Sequence, residues 1–252
     1  MAAQYDDFAE KYQRIMTSPI LMRAKRILDY TFMRLVGDIS GKSVLDLACG
    51  AGDYTRKLKQ AGASHTVGVD ISEEMIKLAR KQEVHQAPLG IEYILSDAQE
   101  LGKIGDFDLV TAALYLHYAP TKEQLLKFCQ TPYDNLKPGQ RFITVIGNPE
   151  TKGPEYPFDA YKKYGLSRFK VAHPLHDGAL IKLTIAAGGE EVEFDSYYHS
   201  KETYEWALRA AGFKTINWHK LILPLEVEQE DGREFWDFYL EAPLYAIIEC
   251  QK

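Results

Sequence analysis

At 252 residues, 46% of them hydrophobic and 26% charged, the chain is long and apolar enough to bury a sizeable core as one large domain, or one domain with a small insertion. Its net charge of −6, without a clustered excess of Lys and Arg, argues against a nucleic-acid surface. Cys49, Cys129 and Cys250 lie far apart without Cys-x-x-Cys spacing, which suggests neither a disulfide framework nor a zinc site and makes the reducing cytoplasm the expected compartment; with no apolar leader core in Met1 to Arg14 and no window of ~18 apolar residues, no membrane partner is expected.

Tyr5-Asp-Asp-Phe-Ala-Glu-Lys-Tyr12 opens the chain as an aromatic and acidic segment too short for a core, a candidate lid. Leu21, Ala24, Ile27, Leu28, Thr31, Phe32 and Leu35 recur at helical spacing and predict an amphipathic helix over about Pro19 to Val36. The stretch Val44-Leu-Asp-Leu-Ala-Cys-Gly-Ala-Gly-Asp-Tyr-Thr55 then reads as a short buried strand, a glycine turn and the start of a helix. Gly50 and Gly52 allow the backbone to turn tightly and lie close to a ligand. Thr66-Val-Gly-Val-Asp70 is a second strand ending in an acid, and Ser72-Glu-Glu starts a helix with Met75, Leu78 and Ala79 on one face. Ile91 to Leu95 is a third strand before Ser96-Asp97-Ala98. Phe107 to Ala113 is a fourth, followed by Leu114-Tyr-Leu-His-Tyr118 and a helix from Thr121 to about Leu136. Lys137-Pro-Gly139 then turns into a fifth strand, Arg141 to Ile146.

From Gly147 to Ser200 the βα rhythm breaks. Two alternating segments flank Gly188-Gly189, with Ile181, Leu183 and Ile185 on one face of the first and Val192, Phe194 and Tyr198 on one face of the second, the pattern of a half-buried hairpin that covers something. A helix over Lys201 to Ala211, closed by Gly212, leads to a sixth strand, Phe213 to Leu223. Asp231-Gly232 turns into a short aromatic helix, Arg233 to Leu240, and Leu244 to Cys250 is a last strand that need not be parallel.

The glycine turn suits either a dinucleotide or an adenosyl ligand. A dinucleotide fingerprint would place its three glycines at Ala48, Gly50 and Asp53, and Asp53 is not small; Asp46, inside the strand, has no role in a pyrophosphate turn but can bind an ammonium group or organise the loop around it. Taken together, Asp46-Leu-Ala-Cys-Gly50-Ala-Gly52, Asp70, Asp97-Ala98 and Asn135-Leu-Lys-Pro-Gly139 resemble the class I S-adenosylmethionine-dependent methyltransferases, over about Tyr5 to Gly147 and again in the last helix and strands. The match departs at Ala48, where many members carry glycine.

The resemblance implies an α/β, Rossmann-like, mostly parallel seven-stranded sheet with an antiparallel last strand, here with a small antiparallel hairpin cap. The expected division is 1–147 for the N-terminal lid and cofactor-binding core, 148–200 for a substrate-capping insertion and 201–252 for the C-terminal part of the sheet. The cofactor it implies is S-adenosylmethionine, with Asp46, Ala48, Gly50 and Gly52 around the methionine, Asp70 on the ribose hydroxyls, Ile71 on the adenine face, Asp97 and Ala98 at the adenine edge and Leu114 near the sulfonium. Tyr5 and Tyr12 are candidates to close over the site, Tyr12 on the cofactor and Tyr5 on the acceptor side.

Methyl transfer is an in-line displacement, so the protein mainly aligns and desolvates the partners, and a base is needed only where the nucleophile loses a proton. His117 and His199 are the candidate bases. His173 and His176 are split by a proline and no carboxylate completes a metal set, so no metal is expected. Tyr115, Tyr118, His173, Tyr197 and Tyr198, with Tyr156, Phe158, Tyr161, Tyr164 and Phe169, suggest a pocket for a planar or apolar acceptor. The expected activity is methyl transfer to an O, N or C nucleophile of a small, aromatic or heterocyclic molecule. A protein or nucleic-acid methyltransferase, a non-catalytic cofactor-binding protein of this fold and an NAD-dependent oxidoreductase remain the alternatives, the last disfavoured by Asp53; Ala113-Leu-Tyr-Leu stands where a nucleic-acid enzyme would carry a motif such as Asn-Pro-Pro-Tyr. Acceptor identity and oligomeric state are unread.

Overall fold

The structure, a computed structural model, describes residues 4–85, 89–151, 158–171 and 174–252. The helices are α1 (Ala9–Met16), α2 (Pro19–Val36), α3 (Asp53–Gln60), α4 (Glu73–His85), α5 (Lys122–Asn135), α6 (Lys201–Ala211), α7 (Leu225–Asp231) and α8 (Arg233–Glu241). The strands are β1 (Ser43–Leu47), β2 (His65–Asp70), β3 (Glu92–Leu95), β4 (Phe107–Ala113), β5 (Leu136–Gly147), β6 (Leu166–Val171), β7 (Leu180–Ala187), β8 (Glu190–Tyr197), β9 (Thr215–His219) and β10 (Tyr245–Gln251).

Seven strands form one sheet in the order β3-β2-β1-β4-β5-β10-β9. The first five are mutually parallel, and β10 runs antiparallel to both its neighbours. Both faces are covered, so β1 reads as an apolar run rather than an alternation. Val44 packs with Leu109, Ile143, Val145 and Ile247 under α2, while Leu45 and Leu47 pack with Val67, Val110 and Ile248 against α5 and α6. Asp46 shares its face with Val44, which puts a carboxylate between the sheet and the covering helices.

Local chemistry fixes the helix ends. Ser18 is extended ahead of Pro19, and α2 stops at Gly37 with φ +68°. At α6 the Ser200 hydroxyl accepts from the Thr203 amide; the stop is Gly212, φ +115°, where a Cβ would sit 2.6 Å from the Tyr133 ring.

The structure departs from the sequence expectations in five elements. The segment read only as a lid contains α1. The turn at Lys137-Pro-Gly139 is an irregularity inside a longer β5, where the register with β4 shifts between Phe107 and Leu109 and the excursion pairs with Lys252 at the chain end. The sixth strand is shorter than read, because past His219 the chain leaves the sheet and Ile222 bonds to Thr31 of α2. The acid-rich α7 precedes the turn at Gly232. The expected hairpin, β7 and β8, carries a third strand, giving the order β6-β7-β8. His173 and Tyr156 lie outside the described residues.

Candidate active site

The carboxyl edge of the sheet is shaped by a run of left-handed residues: Ala48 at φ +52°, Gly50 at +53° and Gly52 at +77°. At Gly52 a Cβ would meet the Tyr93 hydroxyl at 2.5 Å and Arg56 Nη1 at 2.9 Å, so that side of the turn is full. At Gly50 a Cβ would meet nothing within 4 Å, so that side is open. Asp70 bridges the end of β2 to the turn, Oδ2 accepting from the Gly50 amide at 2.7 Å and Oδ1 from the Ser72 amide at 2.9 Å. A carboxylate has about four lone-pair sites, so acceptor capacity remains. Burial pushes the Asp70 pKa up, and these amides oppose it.

Asp46 is 1% exposed. It accepts from Thr55 Oγ1 at 2.7 Å and Thr111 Oγ1 at 2.8 Å, which locks β1 to α3 and β4. Burial raises its pKa to about 6 against the pull of the two hydroxyls, with Asp70 adding to the rise.

A cavity of about 320 Å³ opens from this turn and runs under α1 and α2 to the inner face of β7 and β8. The N-terminal segment closes it. Asp6 accepts from Ser72 Oγ and the Glu74 amide at the start of α4, and the Gln4 side-chain amide makes two bonds to the backbone of Asp195 on β8, as a neighbouring strand would. The Tyr5 ring packs on Tyr12 and Phe194, and its hydroxyl bonds that of Tyr118.

A methyltransferase-domain family model matches residues 44–139. Demethylmenaquinone methyltransferase of Lactococcus lactis is 30% identical over 191 residues, 75% of this chain and 72% of that protein. The chain belongs to the S-adenosylmethionine-dependent methyltransferases. Ubiquinone biosynthesis O-methyltransferase of Acinetobacter baylyi is 31% identical over 119 residues, where this methyltransferase spans about half of that relative (48%). An S-adenosylmethionine-dependent methyltransferase from Mesorhizobium loti shares its fold at TM-score 0.62 and 23% identity, over 88% of this chain and 96% of that one. Magnesium protoporphyrin IX methyltransferase from Synechocystis, determined with bound SAH, does so at 0.60 and 21%, over 96% and 93%.

The methyltransferase has S-adenosylmethionine as its cofactor, and the open side of Gly50, between Asp46 and Asp70, fits that group. The cavity wall brings together Tyr5, Tyr12, Asp46, Ala48, Gly50, Asp70, Leu114, His117, Tyr118, Tyr197, Tyr198 and His199. Gly52, Ile71, Asp97, Ala98 and Tyr115 are not part of that wall. Asp97 and Ala98 follow β3 beside Asp70, since the Ser96 amide donates to the Asp70 carbonyl; Asp97 accepts from the Gln99 amide. Tyr115 points into the opposite core and stacks on Phe128 at 4.4 Å, which takes it away from the acceptor side.

The two histidines differ. His117 lines the cavity three residues past Leu114, which is itself strained at φ +61° and held by its amide to the Val145 carbonyl. His199 donates from Nε2 to the Ala119 carbonyl at 2.8 Å, so its remaining acceptor is Nδ1, buried and 3.9 Å from Asp177 Oδ1. Burial lowers its pKa and keeps it neutral. His199 therefore fastens the loop after β4 to the end of β8, with its Nδ1 lone pair left as an acceptor.

Three features escaped the sequence reading. Lys25 and Lys57 each bridge Asp29 and Asp53, and the Tyr54 ring lies 5.0 and 5.1 Å from the two ammonium groups. Burial would raise the Asp53 pKa, but the two lysines hold it down to about 2. Among the described residues, Lys25 is the one Lys or Arg on the cavity wall. Arg56 braces the turn from beneath, donating to the Ala51 carbonyl at 2.6 Å and to Gln82. Gly68 is bare because a Cβ would press on Cys49 Sγ and Tyr93 at 3.0 Å. These partners come from separate elements, and no single stretch of sequence advertises them.

Proposed function

We propose that this methyltransferase methylates an O, N or C nucleophile on a small, aromatic or heterocyclic molecule held in the cavity. The observation that carries this reading is the cover: the N-terminal segment, α2 and the β7–β8 face roof the carboxyl edge of the sheet, leaving a roofed, partly open cavity of about 320 Å³ rather than a flat groove for a macromolecule. The relatives named above are, by name, enzymes of demethylmenaquinone, ubiquinone biosynthesis and magnesium protoporphyrin IX, and each name supports a small organic acceptor. The same reading divides the chain into a cofactor core over 1–147 and 201–252 with a capping insertion at 148–200, and puts the enzyme in the cytoplasm, in keeping with its three free cysteines.

When bound, S-adenosylmethionine supplies a methyl group on a positive sulfur. In this reading Asp70 receives the ribose hydroxyls, Ile71, Asp97 and Ala98 meet the adenine, and Asp46 organises the turn that faces the methionine ammonium. Lys25 is the counter-charge for the methionine carboxylate. Leu114 presses on the reacting centre, and His117 takes a proton where the nucleophile carries one. Tyr5, Tyr12, Tyr118 and Tyr245 are kept as neutral phenols by burial, so they exclude water and offer hydrogen bonds without competing as anions.

Calorimetry with S-adenosylhomocysteine tests the donor end, and a screen of phenols, amines and heterocycles with tritiated donor tests the acceptor end. Asp70→Ala should weaken S-adenosylhomocysteine at least tenfold. Lys25→Met should weaken it several-fold yet leave 5′-methylthioadenosine, which lacks the amino-acid moiety, unchanged. Equal losses for both ligands would reassign Lys25 to a structural role.

A further inference from the structure

Two pairs of opposite charge, each one helical turn apart, meet beside the glycine turn: Lys25 and Asp29 on α2, Asp53 and Lys57 on α3. Lys25 Nζ lies 2.8 and 2.6 Å from the two Asp29 oxygens and 2.6 Å from Asp53 Oδ2, while Lys57 Nζ lies 2.7 Å from Asp29 Oδ2 and 2.8 Å from the same Asp53 oxygen. An ammonium has three N–H donors, so Lys25 has committed all of them. The cavity meets half of this group, since Lys25 and Asp53 are on its wall and Asp29 and Lys57 are not. The two acids also differ in what holds them. The Asp29 side chain is 18% exposed and accepts from the Tyr54 hydroxyl as well, whereas that of Asp53 is 46% exposed. A carboxylate arriving at Lys25 must displace one of the acids, and Asp53 is the one whose freed oxygen water can satisfy.

Resting on the proposed role of Lys25 toward the methionine carboxylate, we infer that Asp53 is a resident competitor for Lys25 and that Lys57 is a positioning residue that relieves the competition. Lys25 exchanges its bond to Asp53 for one to the ligand carboxylate, and Lys57 keeps Asp53 paired while it does so. One charge-assisted hydrogen bond is lost and one is made, and no carboxylate is stranded. Without Lys57 the two acids would depend on Lys25 alone, and the exchange would leave Asp53 without its cation. The product, S-adenosylhomocysteine, carries the same amino-acid end as the donor. Asp53 therefore holds its affinity below what an uncontested lysine would give and hastens its departure, a step that limits turnover in many enzymes.

Calorimetry with S-adenosylhomocysteine and with 5′-methylthioadenosine, which lacks the amino-acid end, tests the exchange. Asp53→Asn should tighten S-adenosylhomocysteine several-fold and slow its dissociation in stopped-flow experiments, while 5′-methylthioadenosine binds as before. Lys57→Met should weaken S-adenosylhomocysteine several-fold, again without effect on 5′-methylthioadenosine, and Lys57→Arg should retain it. The gain from Asp53→Asn should be about threefold larger in the Lys57→Met background than in the unsubstituted protein, because there Lys25 alone serves both acids. Equal gains in the two backgrounds would reduce Asp53 and Lys57 to a general field on the ligand and overturn the exchange. Weaker binding of both ligands by Asp53→Asn would make Asp53 a structural residue and overturn it too. If Lys25→Met leaves S-adenosylhomocysteine unaffected, the assignment of Lys25 fails and the exchange with it; if Lys25→Met weakens it but Asp53→Asn does not tighten it, the exchange alone fails.

Discussion

Ala48 and Leu114 end β1 and β4 in the left-handed region without being glycine, and both line the cavity. Such residues are retained where the surrounding structure over-determines them. Relieving the strain at Ala48 is sterically simple, so Ala48→Gly should raise stability by up to about 1 kcal/mol in urea unfolding, the gain in φ freedom being partly offset by a more flexible unfolded chain. A loss of stability would show that the methyl group of Ala48 makes packing contacts worth more than the strain. Asp46 gives a pH signature. Folding raises its pKa from the usual 3.8 to about 6, so the folded state holds a proton more tightly than the unfolded one and Asp46 withdraws stability as pH rises from 4 to 6. A bound cation favours the carboxylate, so S-adenosylmethionine affinity should fall as pH drops through 6, and binding near pH 6 should release a proton. Calorimetry in buffers of different ionisation enthalpy measures that release, and Asp46→Asn should abolish it. The glycine turn, Asp46 and Asp70 were legible because each is a residue type whose chemistry is local: φ > 0 for glycine, a buried acid at a strand end. Tyr115 was placed on the acceptor side because its fate is decided by what the fold sets opposite it, the ring of Phe128, and the anchoring of His199 to the Ala119 carbonyl is equally invisible along the chain.

At the scale of elements, α2 and α6 were readable because caps, periodicity and stop glycines agree along contiguous sequence. The helix α1 was not: it has two buried residues, Ala9 and Ile15, and its Tyr12 packs on Tyr5 and on Phe194 of the cap. The strand β6 escaped because its defining feature is a backbone partner, β7, rather than an apolar alternation. These weakly encoded elements border the chamber. The N-terminal segment is held by Gln4, Asp6 and an exposed Arg14–Glu190 pair that solvent screens. Asp6→Ala should therefore leave the thermal midpoint nearly unchanged while speeding S-adenosylhomocysteine release several-fold in stopped-flow experiments. A matched fall in midpoint and affinity would mean that the segment is part of the cooperative core instead.

Across the whole molecule, the mostly parallel seven-stranded sheet with its antiparallel last strand is what the family resemblance implied, while the order of its strands is set by crossovers that the sequence reading did not trace. The chamber did not follow. Its wall draws on residues from Tyr5 to Tyr245, and α1, β7, β8, α8 and β10 meet there only once the sheet has formed. The cover that supports a small acceptor is thus a property of the assembled fold, in contrast to the donor turn, which one stretch of a dozen residues specifies.

The two bonds from Gln4 to Asp195 join positions 191 residues apart, and the bond from Asp6 to Ser72 joins positions 66 apart. Contacts of such separation bear a large loop-closure cost and form late. After dilution from denaturant, far-ultraviolet circular dichroism should recover in a fast phase and the capacity to retain S-adenosylhomocysteine in a slower one. A peptide of residues 1–17 added in trans to a chain lacking them should restore that capacity in proportion to its concentration.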